Sequence, residues 1–163
     1  INGRFTPEQR ALYDVVLAAN LAATAQVKPG NHWNQPHEAA VHALVEGLVA
    51  LGLLKGRVPA LIKAEAYRPF YMHRTGHWLG MDVHDVGSYV KDGVPRKLED
   101  GMVCTVEPGL YFPDDEQTPP AFRGIGIRIE DDVLVTETGN VNLTAKVPKS
   151  VEEIEEIMAK AKK

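Results

Sequence analysis

An α+β fold is predicted by the order in which residue patterns follow one another along the chain. Apolar residues at helical spacing dominate the start, short β-rich pieces broken by glycine and proline follow residue 70, and one amphipathic helical pattern comes last. Helices first and strands afterwards point to helices packed on a twisted, mainly antiparallel sheet, not to alternating βαβ units. The 163 residues amount to one domain, long enough to bury about 70% of the unfolded surface.

Thr6-Pro7-Glu8-Gln9 reads as a helix start, with threonine as N-cap, proline at the first helical position and glutamine closing a capping box. Leu12, Val15, Val16, Ala19 and Ala23 recur at helical spacing, and Lys28-Pro29-Gly30 ends the element. A second helix is expected from Asn34-Gln35-Pro36 through 38-EAAVHALVEGLVAL-51, stopping at Gly52. His37 and His42 lie on it five residues apart and so point in different directions, which makes them surface or hydrogen-bonded side chains and not a ligand pair. Met102–Val106 and Leu110–Phe112 read as strands flanking Glu107-Pro108-Gly109. The stretch 124-GIGIRIEDDVLVTETGN-140 reads as two strands joined near Asp131-Asp132, with Ile125, Ile127 and Ile129 on one face and Arg128 and Glu130 on the other. Ser150 caps a last helix expected over 150–162, with Ile154, Ile157 and Met158 on its apolar face.

Composition narrows the functional classes. Apolar residues at 44% and charged residues at 25% are globular values. A net charge of -4 offers no electrostatic reason to expect nucleic acid or an anionic membrane as partner. No signal-like segment and no apolar run of membrane-spanning length occur. The one cysteine, Cys104, falls in the apolar run 102-MVCTV-106 and reads as a buried, inert thiol. With no disulfide possible within the chain, a reducing, cytoplasmic setting is expected.

The stretch 73-HRTGHWLGMDVHD-85 holds three of the six histidines. His73 and His77 have the four-residue spacing of a helical zinc motif, but that motif needs glutamate after the first histidine and this chain has Arg74. Gly76 and Gly80 further weaken any helix, and a looping segment spreads the histidines along a line, where one can bind a metal while the others meet a substrate, or each can be a hydrogen-bonded loop histidine. Glu107 sits between apolar residues and a proline, where a carboxylate requires a compensating positive charge. Glu130 shares a predicted strand face with Arg128 and can pair with it. One imidazole and two carboxylates converging would suit manganese, cobalt, iron or zinc better than a thiolate-loving metal.

The strings "MHRTGHWLGMDVHDVGSY", "LEDGMVCTVEPGLYF", "RGIGIRIEDDVLVTETGNVNLT" and "PKSVEEIEEIM", together with the opening "GRFTPEQRALYDVVL", resemble the aminopeptidase P (Xaa-Pro aminopeptidase) family over essentially all 163 residues. The resemblance implies the pita-bread fold shared with prolidase and methionine aminopeptidase, here incomplete. It implies His77, Glu107 and Glu130 as metal ligands, with Glu130 bridging two divalent ions, manganese first and cobalt, zinc or iron as alternatives. It further implies that His84 hydrogen-bonds the peptide, that His73 lies near the reacting carbonyl, and that Arg128 orients Glu130. Glu107 would serve as general base and then general acid in metal-assisted hydrolysis of the bond before a proline in second position. Arg74-Thr75 stands where many relatives have Gly-Leu, a departure that removes no ligand.

Two ions carry four positive charges and the two carboxylates supply two negative ones, so more carboxylates are expected. In the family two aspartates lie just before the "GRFTPEQR" segment, and this chain begins at Ile1. The expectation is therefore that residues 1–163 are the C-terminal portion of a metallopeptidase catalytic domain, weak in metal binding and inactive alone, whose bare sheet edge and apolar face favour a homo-oligomer. A prolidase acting on Xaa-Pro dipeptides, or a non-catalytic pita-bread domain that binds a peptide or protein, are the alternatives.

Overall fold

The computed structural model describes residues 3–161. Helix α1 (Pro7–Thr24) opens with the expected capping box: the Gln9 amide donates to Thr6 Oγ1 at 3.2 Å and the Thr6 amide donates to Gln9 Oε1 at 3.0 Å. Its apolar stripe buries Leu12, Val16, Ala19 and Ala23 completely. Helix α2 (Asn34–Ala50) packs on it through Ala40, Val41, Leu44, Val45 and Leu48. Each such leucine contributes about 2 kcal/mol of transfer free energy. A short helix, α3 (Val58–Lys63), follows with Pro59 in its first turn.

A hairpin of two-residue strands comes next, β1 (Val90–Lys91) and β2 (Val94–Pro95), which the sequence reading did not anticipate. Its turn places Asp92 at φ +52 and Gly93 at φ +78, the paired positive angles that an Asp-Gly turn supplies. Strands β3 (Val103–Val106), β4 (Gly109–Tyr111), β5 (Gly126–Arg128), β6 (Asp131–Thr136) and β7 (Gly139–Asn142) complete the sheets. They pair antiparallel in the orders β3-β6-β7 and β4-β5. Helix α1 lies against β3, β4 and β5, and Cys104, Val106, Leu110, Val133 and Val135 close the core beneath it.

The stretch 124–140 departs from its expected form. It holds parts of three strands, not two, and the junction falls at Ile129-Glu130, because Asp131 is already paired in β6 opposite Val106. The strands on either side of that junction do not pair with each other: β5 joins β4 and β6 joins β3. The alternation of Ile127 and Ile129 against Arg128 and Glu130 nevertheless appears in the burial, with Ile129 buried and Arg128 and Glu130 exposed.

Helix α4 (Val151–Ala161) starts at Ser150, whose hydroxyl accepts the Glu153 amide at 3.2 Å. Its expected extension to Lys162 lies outside the described residues, as do Ile1 and Asn2. Ile154 and Met158 are half-buried, whereas Ile157 is 48% exposed and leaves the apolar face narrower than expected. Arg10 ties α4 to α1 through Glu152 at 2.6 Å. Between them and β5 runs a groove of about 420 Å³ lined by Phe5, Ile125, Ile127, Ile154 and Met158. Among the described residues no helix is long and apolar enough to cross a membrane.

Candidate metal centre

The segment from Thr75 to Leu79 runs along β3 as an irregular strand. The Thr105 amide donates to the His77 carbonyl at 3.0 Å, the Glu107 amide to the Thr75 carbonyl at 2.7 Å, and the His77 amide to Thr105 Oγ1 at 3.0 Å. Glycine at position 76 permits this approach, since a Cβ there would lie 2.0 Å from the Thr105 carbonyl oxygen. The ladder carries His77 to the end of β3, beside Glu107.

Glu130 arrives from the opposite strand. Val106 pairs with Asp131 and Gly109 with Arg128, so one antiparallel register runs through both ladders. Carried across the interruption, that register sets Glu107 directly opposite Glu130. Ligand atoms of His77, Glu107 and Glu130 all fall within 4.8 Å of one another, and no other such group of three or more occurs among the described residues. The three residues singled out in the sequence are thus brought together.

The surroundings prepare these atoms for a cation. His77 Nδ1 lies 2.9 Å from the Trp78 carbonyl, which can only accept, so Nδ1 is the donor there and Nε2 is the nitrogen turned to the carboxylates. That Nε2 stands 3.4 Å from Glu107 Oε1. Burial, then the negative charges of Glu107 and Asp132, push the Glu130 carboxyl above its usual range, against the opposing pull of His77 and Arg128. A divalent cation among the two carboxylates and the imidazole would relieve that repulsion, and the donor set of two oxygens and one nitrogen fits a hard-to-borderline ion.

Arg128 takes a different partner from the expected one. Its Nη1 is 3.3 Å from Glu107 Oε2, its Nε donates to the Tyr111 hydroxyl at 2.7 Å, and its Nη2 lies 3.3 Å from His73 Nε2. Arg128 and Glu130 share a face, but the ion pair forms across to Glu107, and on Glu130 the arginine acts as a neighbouring positive charge. The compensating charge that Glu107 requires is therefore Arg128. His73 Nδ1 donates to the Arg74 carbonyl at 2.7 Å, which leaves Nε2 to accept from the Tyr111 hydroxyl at 2.8 Å. Tyr111 accordingly links Arg128 to His73, a role the sequence reading missed and that its place two residues beyond Gly109 could have suggested. His84 is exposed, and its ring meets that of His77 edge-on with centroids 4.4 Å apart.

Support lies behind this layer. Trp78 is buried against Trp33 at 4.2 Å and Tyr89 at 5.7 Å, fixing the backbone next to His77. His37 is hydrogen-bonded as expected, its Nδ1 2.8 Å from Thr75 Oγ1, an atom that also meets the Tyr71 hydroxyl at 2.7 Å. Cys104 is buried, and burial pushes its thiol up to about 12, in keeping with an inert side chain. Asp131, next to Glu130, is buried and takes Lys149 Nζ and Thr144 Oγ1, each at 2.6 Å, on its Oδ1. Burial raises its carboxyl, but the bonds from Lys149, Thr144 and Asn142 outweigh that and hold it below the usual range.

Fold and donor set together describe a candidate metal centre in which carboxylates and an imidazole meet on an antiparallel sheet. The profile described as "Metallopeptidase family M24" matches residues 1–137, and the chain belongs to that family. It is similar to the Xaa-Pro aminopeptidase of Escherichia coli K12, with 53% identity over 163 residues covering 100% of this chain and 37% of that protein. Similarity to the Xaa-Pro dipeptidase of Homo sapiens is lower, 42% over 188 residues covering 97% of this chain and 38% of that protein. The solved structure of Pseudomonas aeruginosa aminopeptidase PepP is similar at TM-score 0.97 and 59% identity, over 99% of this chain and 37% of that one. Zinc-substituted E. coli aminopeptidase P in complex with product is similar at TM-score 0.94 and 53% identity, over 99% and 37% of the two chains. The architecture is that of the pita-bread fold, and the chain spans about 37% of the length of the curated E. coli relative.

Proposed function

We propose that this chain is the C-terminal portion of the catalytic domain of a metal-dependent Xaa-Pro aminopeptidase, which releases the first residue of peptides with proline in second position. The observation that carries the reading is the convergence of His77, Glu107 and Glu130 within 4.8 Å. The higher identity to Xaa-Pro aminopeptidase, 53%, than to Xaa-Pro dipeptidase, 42%, favours the first substrate class. Survival of the whole ligand cluster argues against a domain that only binds peptides.

In this reading His77 Nε2 and the carboxylates of Glu107 and Glu130 hold a divalent cation, with manganese preferred and cobalt, zinc and iron tolerated. Such an ion supplies Lewis-acid activation of water and of the scissile carbonyl. A second ion requires carboxylates beyond this ligand set, so the isolated chain binds weakly and does not turn over. Glu107, half-buried between His77 and Arg128, takes the proton of the attacking water and returns it to the proline nitrogen. Arg128 holds that carboxylate in place. His73, held by Tyr111, faces the reacting carbonyl and stabilises charge as it develops. The exposed His84 meets the peptide backbone beside His77. The groove along β5 supports self-association of the chain.

The test uses both the chain and its longer parent. Calorimetric titration with Mn²⁺ is expected to show one weak site in the chain, abolished by Glu130→Ala. The parent is expected to cleave Xaa-Pro peptides, with Glu107→Gln lowering kcat by roughly 10²–10⁴-fold. A parent that binds such peptides without cleaving them refutes the enzymatic reading.

A further inference from the structure

Helix α1 carries one polar residue on its buried stripe. Asn20 is 0% exposed, between Val16, Ala19 and Ala23. Asparagine is a poor helix former, and burying its amide is costly unless both ends are bonded. Here only one end is. Asn20 Nδ2 donates to the carbonyl of Val106 at 3.1 Å and to the carbonyl of Ile129 at 3.3 Å, while Oδ1 is buried without a partner. The amide cannot be turned over, because its two neighbours are carbonyl oxygens and accept only.

The residues it reaches immediately precede Glu107 and Glu130. They flank the interruption in the ladder, where β3 pairs with β6 up to Val106 and Asp131 and pairing resumes at Gly109 and Arg128. Pro108 lies in the gap and has no amide hydrogen, and the one backbone bond across it, from the Ile129 amide to the Pro108 carbonyl, is long at 3.3 Å. One hydrogen of the Asn20 carboxamide binds the Ile129 carbonyl, which Pro108 cannot serve, and the other binds the Val106 carbonyl on the facing strand.

We propose that Asn20 is a positioning residue that clamps the two carboxylate-bearing strands across this break and thereby sets the affinity of the His77, Glu107 and Glu130 cluster for a divalent cation. The inference rests on the metal-centre reading above. Leaving Oδ1 unbonded is tolerable if the clamp is what the buried amide supplies. Both hydrogen bonds of Asn20 go to main-chain carbonyls, so its action on the ligands runs through the backbone.

The fold contains its own control. Asn140 makes the same kind of paired hydrogen bond, its Nδ2 donating to the carbonyls of Thr24 at 3.0 Å and Val27 at 2.8 Å, but it holds the end of α1 and not the carboxylate strands. Asn20→Leu and Asn140→Leu are compared in the 163-residue chain, with thermal stability measured for each. Co²⁺ affinity, followed by visible absorption, is expected to fall about 10–100-fold in Asn20→Leu and to stay native in Asn140→Leu at comparable loss of stability. Amide hydrogen exchange at residues 106, 107, 109 and 128–131 is expected to rise in the first variant only. Asn20→Ser keeps one donor hydrogen, replaces the leucine variant where that one does not fold, and should fall between it and the native chain. Native exchange and affinity in the Asn20 variants, or Co²⁺ weakening that simply tracks stability in both positions, overturns the proposal. A native chain that leaves Co²⁺ in its aqueous spectrum overturns the metal-centre reading and the cation half of this one, and the exchange comparison then decides whether the clamp itself exists.

Discussion

Acidification should destabilise this fold through His37 before its carboxylates are lost. Burial, then the positive charge of Arg74 with smaller contributions from neighbouring groups, pushes this imidazole down to about 4 from an ordinary 6.5. Above the ordinary value the ring is neutral in both folded and unfolded chains and its contribution is complete. Below it the unfolded chain takes up a proton that the folded chain refuses until about pH 4, so stability falls as pH falls through that window. Between pH 7 and pH 5 the loss attributable to His37 is ~2 kcal/mol. Urea denaturation of the native chain and of His37→Gln at both pH values isolates it, because contributions from other groups cancel in the difference. The native chain should lose ~2 kcal/mol more than the variant. Equal losses, or a His37 ring that titrates near 6.5 by NMR, would refute the reasoning and with it the view that the Thr75 contact holds a neutral imidazole.

Lys149→Met removes the partner of a carboxylate whose side chain is 0% exposed, leaving the Asp131 charge buried and uncompensated. A loss of about 3–5 kcal/mol, or roughly 10 °C in Tm, is expected by differential scanning fluorimetry, with most of it recovered in Lys149→Met/Asp131→Leu. Sedimentation velocity of the native chain should show self-association through the groove along β5, weakened by Ile127→Lys, and a concentration-independent monomer would dismiss that expectation.

What could be read before the coordinates were known follows from where the signal lies. Helices α1 and α4 carry caps and apolar spacing within contiguous residues, and their starts at Thr6 and Ser150 stand as expected, while α2 is marked by its apolar spacing without a side-chain cap. Strand β7 was not legible, since Gly139–Asn142 has the composition of a turn and becomes a strand only by pairing with β6. The β1–β2 hairpin was too short for alternation to register, although its Asp-Gly turn was a usable sign. Glu107 was legible as chemistry because a carboxylate in an apolar frame needs a reason, whereas His77 and Glu130 stood out as ligands only through the family resemblance. The partner of Arg128 was not, because spacing within one strand says nothing about the strand beside it, and the cross-strand neighbours Tyr111 and Glu107 decided the matter. Asn20 gave no sign, as its meaning depends on two carbonyls more than eighty residues away.

The shared register of the two ladders has a consequence for how such centres can change over evolution. Since hydrogen-bonded alignment, and not the length of the connecting loop, puts the two glutamates face to face, the exposed residues 113–117 are free to grow or shrink without disturbing them. A single residue lost from β4 or β5 is another matter. It would move one carboxylate out of step with the other, so variation in this protein's lineage should collect in the loop and spare the short strands.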